Sequence, residues 1–213
     1  MSDSFLRKIV WAISHTKFSL LPLDISYGFK REGISRKVYE DILADLKPGD
    51  IIFTGQNSYV ASLVNSGRVS HVAIYMGDQM GTKYLHGVVH AVEPRVMVQE
   101  LAAVTVCDYL EVYSPLVELT QEEVRQLADR LDDIVSSDVK YDNRFVSTLE
   151  HSKEEAELEM YCSELVTYAY APIIQNHNII FKKGSKLGVD AYLPSSFIHD
   201  GEGFKRVYSS ESL

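Results

Sequence analysis

Apolar residues in the middle of the chain form short runs that are typical of β-strands. Each run is rich in Val, Ile, Phe and Tyr, and turn-forming residues such as Pro48, Gly49 and Pro94 separate one run from the next. The predicted strands are residues 51–54, 70–78, 84–92, 96–101 and 104–113. We therefore expect a strand-rich centre that contributes much of the core.

Helical spacing occurs on both sides of this region. Thr120 and Glu123 form a capping-box pattern at the start of one helix, whose apolar face contains Val124, Leu127, Leu131 and Ile134. A second helix follows Tyr161 and ends before Pro172. Shorter helices are expected after Ser35 and at residues 59–64. The fold class is therefore α+β, with an antiparallel sheet packed against helices.

The first residues carry a separate amphipathic pattern, with Phe5, Leu6, Ile9, Val10 and Ile13 at helical spacing. We expect a helix that packs on the domain, or one that contacts a membrane surface through residues 5–21. His15, Thr16 and Lys17 interrupt the apolar run, so a signal peptide is not expected, and no apolar stretch is long enough to span a membrane. These features predict a cytoplasmic protein and leave export by a non-classical route open. The predicted division is an N-terminal helical extension at 1–46 and a main domain at 47–213.

Composition narrows the function. The chain has 213 residues, a net charge of −9 and no cluster of Lys and Arg, which argues against nucleic acid as a partner. Its two cysteines, Cys107 and Cys162, form neither a disulfide framework nor a zinc-binding pattern. Cys107 lies in the predicted strand 104–113 and is expected to be a small core residue. We expect no metal and no cofactor.

Cys162 is the residue with the clearest chemical potential. The pattern places it at or just before a helix N-terminus, where unpaired N–H groups and the helix dipole favour a thiolate. The same N–H groups can receive an oxyanion. A nucleophilic cysteine needs a base, which is usually histidine, and His71 stands at the start of a predicted strand. The alternative is a buried structural cysteine.

Five short motifs together resemble a known superfamily, and they occur in the order Pro48–Phe53, Ser70–Gly77, Val88–Ala91, Tyr141-Asp142 with Phe145, and Tyr161–Val166. In this order they are similar to the circularly permuted NlpC-type papain-like superfamily, in particular its YiiX-like branch. The histidine precedes the cysteine here, as in the permuted group, whereas ordinary papain-like enzymes have the reverse order. The resemblance covers about residues 47–200 and implies a permuted papain-like catalytic domain.

The resemblance implies that Cys162 is the nucleophile and that His71 is the general base and acid. We expect His90 to be the third, orienting residue and keep Glu93 as the alternative. The two have opposite parity on one strand, so only one of them is expected to face His71. The YiiX-like pattern usually has Glu where this chain has His90, and histidine there resembles the related lecithin:retinol acyltransferase-like group. Candidates for substrate or oxyanion contacts are Tyr161, Ser163 and Tyr141. His86 is expected to be structural or to lie at the rim.

The implied reaction is acyl transfer through a thioester, without a metal. A cysteine amidase or peptidase acting on a cell-wall peptide or another amide is the first reading, and bacterial relatives favour it. A lipid acyltransferase or thioesterase of the same fold is the second, and a catalytically inactive binding module is the third. The expected partner is therefore a peptide, amide or acyl substrate. The pattern does not determine the oligomeric state.

Overall fold

The computed structural model describes residues 34–55, 69–81, 83–142, 159–186, 189–194 and 197–210. The amphipathic segment at 5–21, the short helix expected at 59–64 and most of the acidic run before Glu159 lie outside the described residues. The proposed boundary between residues 46 and 47 remains a prediction.

Among the described residues, eight strands form one sheet, and two more form a separate hairpin. The strands are β1 (Ile51–Gly55), β2 (His71–Gly77), β3 (Gly87–Val92), β4 (Arg95–Glu100), β5 (Tyr109–Pro115), β6 (Lys140–Tyr141), β7 (Glu159–Met160), β8 (Gly184–Lys186), β9 (Val189–Ala191) and β10 (Phe204–Ser209). The order in the large sheet is β10-β5-β1-β2-β3-β4-β6-β7, and β8 pairs with β9. All neighbours in the large sheet are antiparallel except β6 and β7, which run parallel. The predicted antiparallel sheet is thus confirmed, with one parallel pair that sequence patterns did not indicate.

Five helices occur among the described residues: α1 (Arg36–Asp45), α2 (Leu101–Val104), α3 (Gln121–Ser136), α4 (Cys162–Tyr170) and α5 (Ile174–His177). The side chain of Ser35 accepts a hydrogen bond from the N–H of Val38 and so caps α1. Thr120 and Glu123 form the predicted capping box at the start of α3. The helix α4 ends at Tyr170, before Pro172, as predicted.

Two predicted strands begin later than expected. The run 84–92 becomes a strand only at Gly87, after a turn. The run 104–113 becomes a strand only at Tyr109, because Val104 ends the short helix α2 and Cys107 lies in a bend. Cys107 is nevertheless buried against Val104 and Leu110, so its expected place in the core is confirmed.

The large sheet has a buried core on each face. Ile51, Phe53, Val72 and Ile74 belong to one core together with residues of α3 and α4. The alternate residues Ile52, Ala73 and Tyr75 belong to the other core, which α1 and α2 cover through residues such as Val38 and Leu101. This arrangement explains why β1 is apolar at successive positions and not at every second one. No helix in the described part of the chain is long and apolar enough to cross a membrane.

Candidate active site

Cys162 is the first residue of α4, and its position depends on two neighbouring strands. β7 pairs with β6 and leads directly into the helix, and the apolar face of α4 then packs on β2 and β3. Leu165, Val166 and Ala169 are fully buried in that contact. Cys162 is 5% exposed, and the hydroxyl of Ser163 lies 4.0 Å from its sulfur. The predicted location at a helix N-terminus is confirmed.

The protonation state of Cys162 differs from the sequence-based expectation. Burial raises the pKa of the thiol, while hydrogen bonds from the N–H groups of Val72, Ser163 and Cys162 itself and from the Ser163 side chain lower it, and burial prevails. The expected thiolate at rest is therefore wrong for this structure, and Cys162 is a thiol near neutral pH. The donors at the helix start are present, but desolvation of the sulfur outweighs them.

His71 is the first residue of β2, and its ring meets that of His90 on β3. Nε2 of His71 lies 3.0 Å from Nδ1 of His90, and the two rings are nearly perpendicular, at 67°. Burial, and secondarily the presence of His90, lowers the pKa of His71 to about 3. Burial also lowers the pKa of His90 to about 4. Both imidazoles are consequently neutral at pH 7, and one donates its ring N–H to the other.

The remaining ring nitrogen of His71, Nδ1, forms no hydrogen bond with any residue that the structure describes. Within the same residues no hydrogen bond joins His71 to Cys162. Contacts of this kind are often long in ligand-free enzymes and shorten in the substrate complex. A neutral imidazole that is held through one ring nitrogen and has the other nitrogen unused has the chemistry of a general base.

The two candidates for the third position differ in their surroundings. His90 is buried in β3 and points to His71, whereas Glu93 is exposed in the turn between β3 and β4. His86 precedes β3, and its Nδ1 lies 3.2 Å from the hydroxyl of Tyr75.

Tyr141 reaches the same region from β6. It pairs with Met160 on β7, two residues before Cys162, and its N–H donates to the carbonyl oxygen of Pro94. Burial raises the pKa of Tyr141 above its ordinary range, and negative charge at Asp142 and Glu93, or at Cys162 when it is ionised, raises it further. The phenol is therefore protonated and lies within electrostatic reach of the sulfur.

Tyr161 and Ser163 flank the cysteine and are both buried. The hydroxyl of Tyr161 accepts a hydrogen bond from the N–H of Tyr192, so it holds the segment after β9 against the start of α4. Sequence reasoning missed the N–H of Val72 beside the sulfur. A backbone donor leaves no trace in residue type, and only its place next to His71 gives a hint.

No group of three or more His, Cys, Asp or Glu side chains among the described residues is arranged to hold a metal ion.

Comparison with known proteins places these features in context. A sequence profile of the permuted papain-like amidase enzymes YaeF/YiiX, C92 family, matches residues 45–207. The structure is similar to that of YiiX from Escherichia coli O157:H7, which is described as a metalloprotein, with a TM-score of 0.60 and 16% identity over 77% of this chain and 97% of that chain. At that identity the likeness shows the fold alone. No curated protein matches this sequence.

Proposed function

Because the chain belongs to the permuted papain-like amidase family of YaeF and YiiX, we propose that it is a cysteine amidase with Cys162 as nucleophile and His71 as general base. The observation that carries this proposal is the 3.0 Å contact between Nε2 of His71 and Nδ1 of His90. This contact holds the His71 ring by one nitrogen and leaves Nδ1 for the thiol. In a triad, such a third residue fixes the tautomer and orientation of the base.

The reaction begins from a neutral pair. Burial raises the pKa of Cys162 and lowers that of His71, so a resting ion pair is disfavoured. Nδ1 of His71 therefore takes the thiol proton as the sulfur attacks the substrate carbonyl carbon. As the C–S bond forms, the negative charge moves to the carbonyl oxygen and does not remain on the sulfur. Water is excluded from the sulfur, which avoids the reorganisation that a solvated thiolate would require.

The carbonyl oxygen then becomes an oxyanion. The N–H groups of Cys162 and Ser163 start α4 and have no partner within the helix, and the protonated phenol of Tyr141 is a third donor. The imidazolium of His71 next passes its proton to the leaving amine, and the C–N bond breaks. Water then attacks the thioester while His71 takes one of its protons. The C–S bond breaks, the carboxylic acid leaves, and the imidazolium of His71 returns the proton to the sulfur, which restores the thiol.

A second candidate is acyl transfer to an acceptor other than water. The observation that favours it is the position of His90 against His71, since histidine at the third position resembles the lecithin:retinol acyltransferase-like group. The chemistry is identical up to the thioester, and only the second nucleophile differs.

The first experiment traps the thioester. The protein is incubated with p-nitrophenyl acetate, quenched in acid and digested, and the peptides are analysed by mass spectrometry. We expect an acetyl group on the peptide that contains Cys162, absent in Cys162→Ala and strongly reduced in His71→Ala. The Cys107→Ala variant should acylate like the wild type, because Cys107 lies in the core on the other face of the sheet.

Turnover of p-nitroanilides, compared with release of the acyl group to hydroxylamine, then separates amide hydrolysis from transfer. Acylation that is independent of His71, or confined to Cys107, would refute the proposal and favour the binding-module reading. Release to hydroxylamine without measurable hydrolysis would favour the second candidate.

A further inference from the structure

His90 has a second ring nitrogen that the triad does not use. Its Nδ1 faces His71, while its Nε2 is buried and has no hydrogen-bond partner at normal distance among the described residues. His90 as a whole is only 4% exposed. A buried polar nitrogen in this position is costly unless a partner is close. The surroundings of Nε2 therefore call for a hydrogen-bonding neighbour.

The register of β3 with β4 limits which side chains can fill this role. His90 pairs with Met97, so the residues two positions to either side, Arg95 and Gln99, lie diagonally across from it on the same face. Nη1 of Arg95 lies 2.6 Å from Asp138 in an exposed ion pair. Gln99 is half-buried opposite Val88, and of these two side chains of β4 it is the one that can accept a hydrogen bond.

The electrostatics of His90 agree with this placement. Burial lowers the pKa of the His90 ring, and the nearby Gln99 side chain raises it. An amide raises the pKa of an imidazole when its oxygen accepts an N–H, because that contact favours the protonated ring. The direction of this effect is the one expected when the carboxamide oxygen of Gln99, and not its nitrogen, faces His90.

We propose that Gln99 is a positioning residue whose carboxamide oxygen accepts the Nε2–H of His90 and thereby fixes the tautomers of both histidines. With its proton on Nε2, His90 presents a bare Nδ1, which accepts the Nε2–H of His71. His71 then has an unprotonated Nδ1 available for the thiol of Cys162. Without Gln99 the proton of His90 can move to Nδ1, and His71 is left with its proton on the wrong nitrogen.

The effect on catalysis rests on the proposed function, but the tautomer of His90 can be tested without it. The test is to measure the ¹⁵N chemical shifts of the histidine ring nitrogens by NMR in the wild type, Gln99→Met and Gln99→Glu. Methionine has a similar length and cannot accept this hydrogen bond effectively, whereas glutamate keeps an acceptor oxygen. We expect His90 to be protonated at Nε2 in the wild type and in Gln99→Glu, and to lose that preference in Gln99→Met.

Kinetics supply the second measurement. We expect kcat of Gln99→Met to fall roughly 10- to 100-fold, the range seen when an outer hydrogen-bond partner of a functional histidine is removed, with KM nearly unchanged. Gln99→Glu should recover most of that loss, with the acid limb of its pH profile displaced upward because a carboxylate favours the protonated ring. The matched control is Gln175→Met on the exposed face of α5, which should match the wild type.

An unchanged His90 tautomer in Gln99→Met overturns the proposal, even if activity falls, since the effect is then merely structural. A lost tautomer preference in Gln99→Met that Gln99→Glu restores supports it, including in a protein that proves to have no amidase activity. Absence of turnover in the wild type would refute the proposed function and leave the NMR result to decide the role of Gln99.

Discussion

His71 and His90 form a part-buried pair of neutral imidazoles, joined by a 3.0 Å contact between Nε2 of the first and Nδ1 of the second. The folded pKa values are about 3 and about 4, both below the ordinary value of 6.5. Below pH 6.5 these two histidines therefore bind protons in the unfolded chain, whereas in the folded chain they stay neutral until the pH is much lower. The pair is therefore a source of acid sensitivity, because protons bind to the unfolded chain in preference to the folded one.

We predict that stability falls as the pH decreases from about 6.5 toward 4. The full shift of His90, from 6.5 to about 4, corresponds to at most roughly 3.5 kcal/mol, at about 1.4 kcal/mol per pKa unit. Urea unfolding at pH 7 and pH 4.5 measures the difference. His90→Phe keeps an uncharged ring and should weaken the pH dependence.

Asp50 acts in the opposite direction and must be controlled. Burial raises its pKa to about 6, so the folded carboxyl group holds a proton that the unfolded chain releases above pH 3.8. The comparison is therefore made in an Asp50→Asn background. An equal pH dependence with His90 and with Phe at this position would contradict the prediction.

Alkylation of Cys162 provides a prediction for the ligand-free protein. Because burial raises the pKa of the thiol above its ordinary value of 9, the rate with iodoacetamide should keep increasing with pH above 9 and show no plateau in the neutral range. Mass spectrometry of the Cys107→Ala variant isolates the signal of Cys162. A rate that levels off below pH 7 would indicate that Cys162 is a thiolate at rest and would refute the neutral state of Cys162 and His71.

Two glycines that precede β10 offer a matched test of packing. Gly201 and Gly203 have φ values of +86° and +85°, so both substitutions to alanine carry the same backbone cost of roughly 1–2 kcal/mol. A Cβ on Gly203 would lie 2.6 Å from Cα of Ile179, whereas a Cβ on Gly201 has no neighbour within 4 Å. We predict that Gly203→Ala destabilises the protein by about 1–3 kcal/mol more than Gly201→Ala, measured by urea unfolding. Equal effects would mean that the chain moves away at no cost.

Sequence patterns predict best those parts of the fold that depend on local signals. The start of α3 is encoded by Thr120 and Glu123, and the end of α4 by Pro172, all within a few residues of the feature that they determine. Val104 lies at an apolar position that suits a strand as well as a helix, and packing in the core decides for the short helix.

The candidate site shows the same division. The positions of Cys162 at a helix start and His71 at a strand start follow from local patterns. The protonation state of Cys162 does not, because it depends on how completely α4 covers the sulfur against β2. The role of Gln99 likewise depends on the register of β3 with β4, which no single segment specifies.

The variant His90→Glu tests how the third residue sets the state of the pair, because the YiiX-like pattern usually has glutamate at this position. A carboxylate close to Nε2 of His71 would favour the imidazolium and raise the pKa of His71, by about 1–3 units for an opposite charge at this range. The imidazolium would in turn stabilise the thiolate of Cys162.

We therefore predict that alkylation of Cys162 in His90→Glu shifts to lower pH, and that NMR titration shows a raised pKa for His71. The exposed His199→Glu should change neither. An unchanged alkylation profile in a folded His90→Glu protein would mean that position 90 does not control the charge of His71. The neutral state of Cys162 and His71 would then have to arise from their burial alone.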